Sequence, residues 1–155
     1  MKEFEFRLES VLDLRKQEEK NIQKELMKLR KNYNELEEQL NKQQLEKEDW
    51  QQKLAQEQAE GISPTTLIEY HNYINYLNDQ INETKLEMEY WREKIEECQD
   101  RLLAKVKEKK KLVKLKDRKA EEYWEEFLKE ERKQNDEVAT NNYNHNQDGS
   151  SSSTI

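Results

Sequence analysis

The chain has 155 residues, 41% of them charged and 32% hydrophobic, and a mean hydropathy of −1.40, which leaves too little apolar matter for a globular core of this length. Its formal charge of −7 arises from 35 acidic and 28 basic residues; both signs are abundant, as on a solvated coiled-coil flank, and the balance runs against wholesale nucleic-acid binding. One cysteine, Cys98, excludes an intramolecular disulfide and a cysteine-based zinc site.

The amino terminus, Met1-Lys2-Glu3-Phe4-Glu5-Phe6-Arg7, carries acids where a secretory signal needs an apolar run, and no stretch approaches membrane-span length. The expectation is a soluble protein of a reducing cytoplasm. So polar a chain is either disordered or spends its apolar residues on one seam, and periodicity favours the seam. From Ile22 the apolar residues fall at Leu26, Leu29, Tyr33, Leu36 and Leu40, alternating steps of four and three. That is the heptad signature. The register runs back through Glu19 and Arg15 to Leu12 and Leu8, and forward through Gln43 and Lys47 to Trp50 and Leu54. It predicts a first helix over residues 4–58, about 80 Å long. Acid-then-base pairs such as Glu38 with Lys42 and Asp49 with Lys53 add about 0.2–0.5 kcal/mol each. The polar seam positions Arg15, Glu19, Gln43 and Lys47 have two readings: register-setting layers, or places where the hairpin bends or a partner inserts.

The chain has one proline, Pro64, and two glycines, Gly61 and Gly149, so there are few places where it can reverse. The turn is predicted over residues 59–63. Ser63 suits an N-cap because Pro64 follows at the first helical position, and Ile62 with Leu67 suits a hydrophobic staple. The second seam reads Leu67, Tyr70, Ile74, Leu77, Ile81, Thr84, Met88, Trp91, Ile95, Cys98 and Leu102, then Val106, Val113, Ala120 and Phe127. Cys98, Leu102 and Val106 make two steps of four in succession, a stutter. A second helix is predicted over residues 64–133, about 105 Å long. Residues 134–155, rich in Asn and Ser, have nothing to bury and read as a disordered polar tail. The fold class is thus all-α: a long antiparallel two-helix coiled-coil hairpin over residues 1–133 with that tail.

Neither a glycine-rich phosphate loop nor paired histidines at metal spacing occurs, since the only histidines are His71 and His145. Paired carboxylates are plentiful, but a general acid needs a pocket that shifts its pKa, and a two-helix hairpin offers none. The expectation is a non-enzyme with no catalytic residues, cofactor or metal. His71 reads as a flank residue, and Cys98 in the seam as a small hydrophobe.

Two features need explaining. Tyr70, Tyr73 and Tyr76 gather near Trp50, close to the turn. Seam aromatics are core, whereas Tyr73 and Tyr76 lie on a flank, where they either cover the seam or dock a partner. From Lys105 to Lys119, nine of fifteen residues are Lys or Arg, followed by Glu121-Glu122 and Glu125-Glu126. Such a block suits an acidic protein patch, plain solvation, an acidic membrane surface or, last, nucleic acid, because no aromatics are interleaved for base stacking.

The opening Phe4-Glu5-Phe6-Arg7-Leu8-Glu9-Ser10-Val11-Leu12-Asp13-Leu14-Arg15, and the Gly61-Ile62-Ser63 turn followed by Tyr70, resemble the flagellar export protein FliJ family over roughly residues 3–137. The resemblance implies a component of the bacterial flagellar type III export apparatus. Members look like the central stalk of rotary ATP synthases, sit in the hexameric export ATPase, and contact the cytoplasmic domain of the export gate and export chaperones. It implies a cytoplasmic protein reaching the cell membrane only through those partners. On this chain the ATPase ring would hold Phe4, Phe6, Leu8, Lys109, Lys110, Lys111, Lys116 and Lys119. The gate would meet Trp50, Tyr73, Tyr76, Leu77, Gln80 and Thr84. The alternative from another class is a general coiled-coil scaffold or chaperone that homo-oligomerises into a four-helix bundle, with a basic-patch nucleic-acid binder third.

Overall fold

In the computed structural model, which describes residues 2–151, the chain forms two helices, α1 (Glu9–Glu60) and α2 (Pro64–Ser151). They make an antiparallel coiled-coil hairpin. The reversal has the local chemistry its residues require. The Gly61 N–H donates to the Gln58 carbonyl at 3.3 Å, and Gly61 has φ +96, a left-handed conformation that side-chain-bearing residues enter at a cost. Ser63 caps α2: its Oγ accepts from the Thr66 N–H at 3.2 Å and shares a proton with Thr66 Oγ1 at 2.8 Å. Pro64 starts the helix, where its missing N–H is harmless, and Ile62 and Leu67 are both half-buried, as a staple needs. Nothing lies within 4 Å of a Cβ built on Gly61, so Gly61→Ala is a test of backbone strain alone. It is expected to lower unfolding stability by about 1–2 kcal/mol, read as a lower urea midpoint at unchanged slope; Gly61→Asn, which tolerates positive φ, loses less.

The chain packs as two units, Gln17–Val106 and Met1–Lys16 with Lys107–Ile155. In the first, Leu26, Leu54, Ile74, Leu77, Ile81 and Cys98 are buried, and Ile22, Leu29, Tyr33, Leu36, Leu40, Met88, Trp91 and Ile95 half-buried, on the predicted register. Burying each of the large aliphatic side chains contributes about 1.5–3 kcal/mol. Its polar layers pair across the seam: buried Thr84 donates to Gln43 Oε1 at 2.9 Å, with the Gln80 carbonyl 3.0 Å away. Ion pairs join Glu25 to both Arg101 guanidinium nitrogens, at 2.8 and 3.2 Å, and Glu18 to Lys105 at 3.0 Å. The Arg101 hydrogen bonds hold the Glu25 carboxyl below the usual carboxylate range. The Cys98 thiol is fully buried 3.7 Å from the Ile22 carbonyl oxygen, and burial, with the Glu25 charge, pushes it up.

In the second unit Leu12 is the buried residue, and Leu8, Val113, Ala120 and Phe127 are half-buried. The seam also contains Lys109, Lys116 and Tyr123, all half-buried. With Val106, Val113, Ala120 and Phe127 they restore the alternation of four and three after the stutter. Arg15 reaches Glu108 at 3.2 Å, so the polar seam positions Arg15 and Gln43 are paired layers that set register.

Two helix boundaries differ from the sequence expectation. α1 begins at Glu9 rather than residue 4, because Phe4, Phe6 and Leu8 are half-buried while Glu3, Glu5 and Arg7 are exposed: a two-residue alternation that belongs to non-helical chain. α2 continues to Ser151, well beyond Lys133, because no glycine or proline interrupts it before Gly149, and an i,i+4 side-chain bond joins Gln147 Nε2 to the Tyr143 hydroxyl at 2.8 Å. Residues 128–149 are nevertheless exposed throughout, so this stretch buries nothing. Residues 152–155 of the predicted tail lie outside the described residues.

Candidate functional site

The unit near the turn presents an aromatic cluster. Trp50 from α1 packs against Tyr73 (ring centroids 4.7 Å apart) and edge-on to Tyr70 (5.6 Å), with Lys53 Nζ 4.9 Å from the indole. Rings at these separations and tilts attract through their quadrupoles as well as by burial. The Tyr73 hydroxyl donates to Glu46 Oε1 at 2.7 Å, and that carboxylate raises the Tyr73 pKa above its ordinary value; a hydrogen bond with Glu57 does the same for Tyr70. Tyr76 follows, 6.1 Å from Tyr73 and 54% exposed. A cleft of about 430 Å³ is bounded by Trp50, Glu57, Thr66, Glu69, Tyr70 and Tyr73.

The six side chains assigned to the gate thus share one unit, at different depths. Trp50, Tyr73 and Gln80 are half-buried and Tyr76 is exposed, but Leu77 and Thr84 lie in the core at 3% and 4% exposure. On the folded hairpin the first four have surface to offer, whereas Leu77 and Thr84 have almost none. Tyr73 covers the seam by packing on Trp50, whereas Tyr76 is exposed.

The other unit gathers a second aromatic group. Phe4 packs on Tyr123 at 5.6 Å, Tyr123 stacks on Phe127 at 6.4 Å, and Trp124 meets Phe127 edge-on at 5.5 Å. The Tyr123 hydroxyl donates to the Lys2 carbonyl oxygen, tying the non-helical segment to α2. A cleft of about 480 Å³ opens there, lined among others by Phe4, Phe6, Leu8, Leu115, Lys119 and Tyr123. The Glu9 carboxylate lies 2.8 Å from Lys116 Nζ; its buried Oε2 is satisfied by that charge contact rather than by a well-angled hydrogen bond.

All eight residues assigned to the ring fall in this unit. Phe4, Phe6 and Leu8 line the cleft, Lys109 and Lys116 occupy the seam, and Lys110, Lys111 and Lys119 are exposed, Lys119 lying 3.5 Å from Glu122. Sequence reasoning treated Lys109 and Lys116 as surface charge and overlooked Tyr123 as the anchor of the amino-terminal segment. The signal was present: Lys109, Lys116 and Tyr123 fall three residues after Val106, Val113 and Ala120.

Among the described residues no group of His, Cys, Asp or Glu is placed to hold a metal ion, and no helix is long and apolar enough to cross a membrane. Two long helices on a heptad seam, with aromatic and charged side chains left at the surface of each unit, define a coiled-coil protein. The chain belongs to the FliJ family: the family described as Flagellar FliJ protein matches it over residues 4–148. It is thus a coiled-coil protein related to flagellar export. No curated protein and no solved structure matches it.

Proposed function

We propose that the protein is a non-enzymatic coupling stalk of the flagellar type III export apparatus, linking the hexameric export ATPase to the cytoplasmic domain of the export gate and to export chaperones. It acts by contact, in the cytoplasm, and reaches the membrane face through these partners. The observation that carries the reading is the partition of surface groups. Phe4, Phe6, Lys110 and Lys111 belong to one packing unit, and Trp50, Tyr73, Tyr76 and Gln80 to the other, so each partner has its own surface. Tryptophan and tyrosine are enriched among the side chains that dominate docking energies, and exposed lysines steer an acidic partner.

The test uses two variants of the full chain with unchanged helical circular dichroism. Phe4→Ala with Phe6→Ala, Lys110→Glu and Lys111→Glu is expected to lose binding to the ATPase ring and its stimulation while retaining the gate domain. Tyr73→Ala with Tyr76→Ala and Gln80→Ala is expected to do the reverse. Normal ring stimulation by the first variant, or normal gate binding by the second, overturns the corresponding assignment.

A further inference from the structure

The outer face of α2 in the terminal unit carries charge that its own unit leaves unused. Residues 107–119 contain eight Lys or Arg against Glu108 and Asp117, net +6, and residues 120–131 contain six Glu against Lys129, net −5. Lys116 and Glu108 are engaged with α1, and Lys119 with Glu122. Lys107, Lys111, Lys114 and Arg118, then Glu121 and Glu125, follow at steps of four and three on one face away from the seam, and all six are exposed. None of the six has an ion-pair partner among the described residues. Half-buried Leu115 and Trp124, 55% exposed, lie beside this stripe.

A basic stripe that turns acidic within one helical turn is a poor seat for a polyanion, because Glu121 stands well inside a Debye length, about 10 Å at 0.1 M salt, of Arg118, and Glu125 about one Debye length away. It is a good seat for its own reverse. In a two-fold arrangement residue i meets j and j meets i, so an antiparallel copy centred between Arg118 and Glu121 sets Arg118 against Glu121 of the second copy and Lys114 against Glu125 of the second copy, twice over. We propose that this stripe is a self-association surface through which two copies pair as an antiparallel, salt-sensitive dimer.

The dimer does not depend on the stalk reading.

Sedimentation equilibrium of the full chain is expected to show a dimer at an ionic strength of about 10 mM and an association constant at least about tenfold weaker at about 1 M. Lys114→Glu with Arg118→Glu, and separately Glu121→Lys with Glu125→Lys, are expected to be monomeric under the low-salt condition with unchanged helical circular dichroism. An equimolar mixture of these two variants is expected to form a heterodimer, because positions 114, 118, 121 and 125 are all acidic in one and all basic in the other. A wild-type chain that stays monomeric at low salt, variants that dimerise as it does, or a mixture that does not associate each overturn the proposal. So does a monomer that binds duplex DNA or phosphatidylserine vesicles through Lys114 and Arg118, which would make a polyanion the occupant.

Discussion

Leu77→Ala is expected to lower the unfolding free energy by about 2–5 kcal/mol, whereas Tyr76→Ala, one residue away, is expected to change it by less than about 0.5 kcal/mol. Leu77 is 3% exposed between Ile74 and Ile81 in the buried run of α2, so truncation removes apolar contact and leaves a cavity between two helices that have no third element to collapse into it. Tyr76 is more than half exposed, and its ring lies 6.1 Å from that of Tyr73 at a tilt of 30°. Urea titrations followed by circular dichroism measure both. The pair also separates two ways of weakening a partner: Leu77→Ala acts through the fold and is rescued by cooling or by Leu77→Met, and Tyr76→Ala acts through the surface and is not.

The second large effect is expected for Trp50→Ala, at about 2 kcal/mol or more, the sum of half-burial of an indole and two aromatic contacts. Trp50 is the one α1 side chain on which Tyr70 and Tyr73 both rest. Without it Tyr73 keeps its hydrogen bond to Glu46 but loses the ring that orients it. Amide exchange around Ile74 and Leu54 should quicken, and any ligand that uses Tyr73 should bind more weakly than the stability loss alone explains. Trp50→Phe is expected to restore most of both.

Those two residues show how far the sequence could be read. Periodicity put Leu77 and Thr84 in the seam, and the structure buries both; the family resemblance pointed to the same two positions as contacts, and burial leaves Trp50, Tyr73, Tyr76 and Gln80 to meet a partner on the folded hairpin. The amino-terminal segment was misassigned for the opposite reason. Extending the heptad back to Leu8 passed over a two-residue alternation in Phe4-Glu5-Phe6-Arg7-Leu8, which is incompatible with one helical face and fits a segment laid against Tyr123. Beyond Lys133 the sequence shows no seam, and none forms, yet the backbone stays helical because nothing in it forbids a helix.

The sequence by itself determined the turn and the register. One left-handed glycine, one serine cap and one proline permit reversal at a single place, and a heptad alternation admits only one stripe per helix. Only the tertiary structure decided which polar seam residues are paired, which lysines of the basic block are seam and which are surface, and which tyrosine is cover and which is exposed. The physical reason is that a side chain's depth and partner depend on what the antiparallel register brings opposite it. Arg15 meets Glu108, Gln43 meets Thr84 and Lys116 meets Glu9 across sequence separations that no local pattern encodes.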